Sequence, residues 1–201
     1  MNKRVVIFAS GNGTNAQNII EHFQQTAFAK VVLVLSNKKD AKVLERANNL
    51  NVKSLYFTRE ELKDPEGVLQ LLREQDPDLI VLAGFLWMFP SHILEVFPNK
   101  VINIHPALLP KYGGKGMYGH YVHEAVVANG ETESGITIHY VNEHYDEGAI
   151  IFQASVALTK TDTPESVAAK VHQLEYEHFP KVIETLLLED DSSETNSDDN
   201  G

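Results

Sequence analysis

An apolar run, Arg4 to Ala9 (RVVIFA), breaks directly into Ser10-Gly11-Asn12-Gly13-Thr14-Asn15, and the stretch behind it carries Ile19, Ile20 and Phe23 at helical spacing. Strand, tight glycine turn and amphipathic helix in that order form a βα unit. A strand that is apolar on both faces needs parallel neighbours beside it and helices above and below.

The alternation continues along the chain. Val31 to Leu35 reads as a second buried strand, Lys42 to Leu50 as a helix, Val52 to Phe57 as a third strand and Glu60 to Glu74 as a helix around Asp64-Pro65. Leu79 to Ala83 is a continuous apolar run of the central-strand kind. A short helix near Ser91 to Phe97 precedes a strand from Val101 to Ile104 that ends in His105-Pro106. Leu109 to Gly119, rich in glycine, is too irregular for an element and long enough to be a functional loop. His120 to Ala128 resumes a helical pattern, two strands follow (Ser134 to Val141, Ala149 to Val156), and Glu165 to Leu188 is a last helix. Pro180 has no amide to donate there, which predicts a kink or break near Phe179. The whole is an α/β fold, a doubly wound, mostly parallel sheet with helices on both faces, Rossmann-like. It forms one domain over residues 1–188, and the carboxylate-rich stretch 189–201 is expected to be a disordered tail.

With 201 residues there is enough chain for one such core. No apolar run approaches the ~18 residues of a membrane span, and the absence of cysteine removes disulfides and thiolate chemistry. The N-terminal stretch lacks a secretory pattern, which points to a cytoplasmic protein. A net charge of -11 argues against a nucleic-acid partner.

Gly13, Thr14 and Asn15 stand where a strand hands over to a helix, a place that favours an anion. Either a terminal phosphate sits on this loop, or it is a tight turn with Thr14 or Asn15 capping the helix. The second strand ends in Ser36-Asn37-Lys38 with no acid for a ribose, which speaks against a dinucleotide. Asn103 and His105, two apart on a strand, share a face at the end where open parallel sheets bind ligands. An imidazole there can move a proton and an amide can donate to an oxyanion; equally, the pair can be a backbone-satisfied histidine and a turn cap. Asp146, in the turn Tyr145-Asp146-Glu147-Gly148, is the natural third member, and otherwise an ordinary turn residue. Among nine histidines, His120 with His123 and His139 with His144 lack metal-motif spacing and read as surface or packing residues, so no metal is expected.

Four segments in order, SGNGTN after the first strand, LAGFL at 82–86, NIHPALLPKY at 103–112 and HYVNEHYDEG at 139–148, resemble the folate-dependent formyltransferases that act on glycinamide ribonucleotide. The resemblance runs from Val5 to about Leu187. It implies formyl transfer from 10-formyltetrahydrofolate, as co-substrate, to the amine of glycinamide ribonucleotide, a step of purine synthesis. It also implies roles: substrate phosphate on Gly13, Thr14 and Asn15; ribose at Glu175; catalysis by Asn103, His105 and Asp146, with His105 protonated. For the folate it implies backbone at Leu86, Trp87, Met88 and Phe89, then Asn103 and Asn142, Glu143, His144, Tyr145 and Asp146, with Arg59 at the tail. The chain departs from the family at Gly113 to His120, which is longer than the shortest version, at Trp87, where some relatives have Arg, and in a small insertion at Asp64 to Gly67. Partners are small molecules, with no nucleic acid or membrane, in a monomer or homodimer. Rival readings are a tRNA formyltransferase, which needs basic charge, a formyl-folate hydrolase, which carries a further N-terminal domain, and a non-catalytic nucleotide-binding Rossmann domain.

Overall fold

The computed structural model describes residues 2–195. Seven strands, β1 (Lys3–Phe8), β2 (Ala29–Ser36), β3 (Ser54–Tyr56), β4 (Leu79–Leu82), β5 (Val101–His105), β6 (Glu133–Tyr140) and β7 (Ile150–Ala157), form one sheet in the order β3-β2-β1-β4-β5-β6-β7. The first five run parallel; β6 and β7 are antiparallel to their neighbours. The expected doubly wound, mostly parallel sheet is therefore present. Strand order reverses between β1 and β4, so a crevice opens outside their carboxyl ends.

Alternate strand residues feed two cores. Val5, Ile7, Val81 and Ile102 face α1 (Thr14–Thr26), α2 (Lys42–Asn49), α6 (His120–Ala128) and α7 (Pro164–Thr195). Val6, Phe8, Ile80 and Leu82 face α3 (Arg59–Lys63), α4 (Val68–Gln75) and α5 (Ser91–Val96). From α1 the buried residues are Ala16, Ile19, Ile20 and Phe23, spaced to make one stripe. Burying each of the three large ones is worth roughly 1.5–3 kcal/mol, and truncating Phe23 to alanine would cost about 3–5 kcal/mol.

Three expectations change. The helix expected over Glu60 to Glu74 is two, because Pro65 cannot continue α3 and α4 starts afresh after Gly67. α3 has its own start, a capping box in which Thr58 and Glu61 satisfy each other's amides. At Pro180 no break occurs: α7 runs through it. The carbonyl that Pro180 leaves unbonded, that of Tyr176, accepts instead from Asn18 Nδ2 on α1 at 3.0 Å. Finally, the tail expected from residue 189 continues α7 as helix to Thr195, and residues 196–201 lie outside the described residues. Among the described residues no helix is long and apolar enough to cross a membrane.

Candidate active site

β5 ends in the crevice, and its two-residue period puts Asn103 and His105 on one face. Antiparallel pairing sets His139 of β6 directly opposite Asn103. The β6–β7 turn then folds back so that Asp146, itself in a left-handed conformation (φ 57°), faces all three. Gly148 makes that return possible, since a Cβ there would run into the Tyr140 carbonyl.

One carboxylate oxygen of Asp146, Oδ1, lies 3.5 Å from Asn103 Nδ2 and 3.6 Å from both His105 Nδ1 and His139 Nε2. These separations are long for direct bonds, so this oxygen acts here as a charge. The other, Oδ2, accepts from the Gly114 amide at 2.9 Å. The His105 side chain is 4% exposed, and its Nε2 donates to the Tyr112 carbonyl at 2.7 Å. His139 Nδ1 donates to the Tyr140 carbonyl, which leaves Nε2 to accept from the Asn103 amide at 3.1 Å.

Burial pulls the His105 pKa below the ordinary histidine value, against the Asp146 carboxylate and the Tyr112 carbonyl, which raise it. The resting ring is therefore neutral near pH 7, with its proton on Nε2. This corrects the expectation that Asp146 keeps it charged: the carboxylate has the expected sign, but desolvation outweighs it. Burial by itself would raise the Asp146 pKa, yet it lies below the ordinary value: a proton on the facing ring of His139 or His105 favours the ionised carboxyl, as does the Gly114 amide that donates to it.

The glycine loop follows β1, which is separated from β5 by β4 in the sheet. Gly13 is the N-cap of α1 with φ 76°, and no side chain caps that helix, so the capping role considered for Thr14 or Asn15 is not the one found. A Cβ on Gly13 would strike Val43 of α2. Arg46, one turn further along α2, braces the loop by donating to the Asn12 carbonyl (2.8 Å), Asn12 Oδ1 (3.0 Å) and Gln17 Oε1 (2.6 Å). Asn15 reaches across to α7, where its Nδ2 donates to Glu175 Oε2 at 2.9 Å. Glu175 is 4% exposed and also accepts from His172 Nδ1 at 2.8 Å, which raises the His172 pKa. Asn15 Oδ1 and Nδ1 of the buried His123 have no partner. Two residues chosen from the sequence for one ligand, Asn15 and Glu175, are thus in contact.

A cavity of about 410 Å³ opens beside the Asp146 turn, within the usual range for a small-molecule site. Arg59, Trp87, Met88, Phe89, Glu143 and Tyr145 line it, all of them anticipated. Leu86, Asn103, Asn142, His144 and Asp146 do not. The Leu86 amide already donates to Ser10 Oγ, and Asn142 Oδ1 accepts from the His144 amide to shape the turn. The Arg59 guanidinium lies 4.6 Å from the centre of the Trp87 ring. Among the described residues no group of three or more acidic or histidine side chains is arranged to hold a metal.

His139 escaped the sequence reading, which took it for a surface or packing residue. Its role depends on strand register, and the only sequence clue was its position in an apolar-alternating strand. Arg46 on α2 and Tyr112 in the loop after β5 are not signalled in the sequence either, because their roles depend on contacts between separate segments.

The chain belongs to the formyl transferase family, whose sequence model matches residues 3–183. Its relatives there include phosphoribosylglycinamide formyltransferases. That of Haemophilus influenzae is 37% identical over 186 residues, which cover 90% of this chain and 85% of the relative. The chloroplastic one of Arabidopsis thaliana is 37% identical over 193 residues, 93% of this chain, but the match spans only 66% of the relative's length. The crystal structure of glycinamide ribonucleotide transformylase 1 from Geobacillus kaustophilus superimposes with a TM-score of 0.84 at 33% identity, covering 93% of this chain and 100% of that one.

Proposed function

We propose that this protein transfers the formyl group of 10-formyltetrahydrofolate to the amine of 5-phosphoribosylglycinamide, giving the formylated ribonucleotide of purine synthesis. One observation carries the reading: the turn that brings Asp146 to His105 also supplies Glu143 and Tyr145 to the cavity wall, while Asn15 of the glycine loop bonds Glu175, whose charge acts on His105. This arrangement supports a reading in which the cavity serves the folate and the glycine loop serves the phosphate.

In the reaction the neutral glycyl amine attacks the formyl carbon. A C–N bond forms and the carbonyl electron pair moves onto oxygen. The Asn103 amide is a donor available to that oxyanion; His105, whose one resting N–H is given to the Tyr112 carbonyl, adds a donor only when its Nδ1 takes up a proton. The attacking nitrogen then loses a proton, for which ionised Asp146 is the nearest acceptor, N10 gains one, and the bond from carbon to N10 breaks as the carbonyl re-forms. Gly13, Thr14 and Asn15 hold the phosphate through the free amides of α1, Glu175 accepts from ribose hydroxyls, and Arg59 meets the anionic tail of the folate.

The test is an assay of the purified protein with 10-formyltetrahydrofolate and either glycinamide ribonucleotide or water as acceptor. Formyl transfer to the ribonucleotide supports the reading. Formate release at the same rate with and without the ribonucleotide would replace it with hydrolysis.

A further inference from the structure

Tyr112 stands in the left-handed region, φ 58°, which a residue with a Cβ adopts only where its surroundings hold it. From there its carbonyl accepts the His105 Nε2 proton at 2.7 Å, and two residues on, the Gly114 amide donates to Asp146 at 2.9 Å. One short segment thus touches both His105 and Asp146. Its anchor lies on the opposite side. The Tyr112 hydroxyl donates to Glu131 Oε1 at 2.8 Å, and the Lys111 ammonium spans both oxygens of that carboxylate at 3.1 and 3.3 Å. Glu131 stands three residues past the end of α6, and its amide donates to the Val126 carbonyl at 3.2 Å, so the anchor is tied to a packed helix.

We propose that Glu131 is a positioning residue for the reaction: through the Tyr112 hydroxyl it holds the left-handed turn that presents the Tyr112 carbonyl to His105 and the Gly114 amide to Asp146. This rests on His105 and Asp146 being the reacting pair. The Tyr112 carbonyl fixes the tautomer of His105, proton on Nε2 and Nδ1 turned to Asp146. Without Glu131, Tyr112 relaxes toward ordinary backbone conformations, its carbonyl rotates away, and the ring loses the acceptor that sets its orientation. Lys111 is well exposed, so its ion pair adds little to the latch.

The experiment compares Glu131→Ala, Glu131→Gln, Tyr112→Phe and Lys111→Ala with the parent. The first readout needs no turnover: nitrogen NMR of the His105 ring across pH. Glu131→Ala and Tyr112→Phe are expected to lose the single Nε2–H tautomer and to titrate at lower pH, because the Tyr112 carbonyl raises that pKa. Glu131→Gln still offers an oxygen to the Tyr112 hydroxyl, and it should behave as the parent, as should Lys111→Ala. The second readout is kinetic: kcat falls roughly tenfold in Glu131→Ala and Tyr112→Phe, while KM for either substrate stays within about twofold. A parental tautomer and titration in Tyr112→Phe would overturn the proposal, and so would a loss in Glu131→Gln equal to that in Glu131→Ala. Should Glu131→Ala fail to fold, Tyr112→Phe, which removes one oxygen, answers alone. If the parent transfers no formyl group, the functional reading fails, while the ring NMR still decides the role of Glu131.

Discussion

At His105 burial lowers the pKa while the Asp146 charge raises it, and negative charge developing nearby would raise it further. An oxyanion supplies that charge, and the benefit is felt mainly in the transition state. Replacing His105 with alanine is accordingly expected to lower kcat by ~10² or more, with smaller changes in KM. Asp146→Asn keeps the shape and removes the charge; it should lower the rate and push the His105 pKa further down, as steady-state kinetics and an NMR titration would show. The two act as a unit, so the double variant should be little worse than the worse single one. His123 makes a separate, thermodynamic prediction. Burial, helped by His172, lowers its pKa from 6.5 to about 4. Its folded pKa lies below its unfolded one, so as pH falls below 6.5 the unfolded chain takes up a proton that the folded one refuses. Stability should therefore decline between pH 6.5 and about 4, by at most ~3 kcal/mol from this residue. Melting curves of the protein and of His123→Gln should diverge in slope over that window; parallel curves would remove His123 as the cause.

Among the elements, the turn between β1 and α1 is the most sharply specified. Gly13 is left-handed and its α-carbon abuts Val43, so even Gly13→Ala adds about 1–2 kcal/mol of backbone strain and displaces α2 from the loop. The expected result is at least a roughly tenfold weaker binding of the ribonucleotide with folate binding within about twofold, measured by calorimetry; equal losses for both ligands would argue against a dedicated phosphate loop. Most of the elements were legible beforehand because burial on two faces writes itself as unbroken apolar runs, as in Leu79 to Leu82, and burial on one face as a stripe, as in α1. The strand period alone placed Asn103 and His105 together. What stayed hidden depends on contacts between distant segments. Nothing near Pro180 in sequence says that Asn18 will bond the carbonyl it frees, and nothing near His139 says that register will set it beside Asn103. The latch from Tyr112 to Glu131 was hidden likewise.

For the whole molecule, the sheet order brings the loop after β1 and the end of β5 to the carboxyl ends of the parallel strands, where the proposed reacting groups stand. Ending the chain after Glu189 should leave turnover and melting temperature nearly unchanged; a substantial loss of either would assign the C-terminal residues a part in the fold or the site. The bond from Asn15 to Glu175 joins residues 160 positions apart. Along the chain, the strands that carry Asn103, His105 and His139 lie between the two. A chain that lacks α7 therefore lacks one of the two residues proposed to hold the nucleotide, so the ligand is expected to rescue a folding defect only where both segments are present.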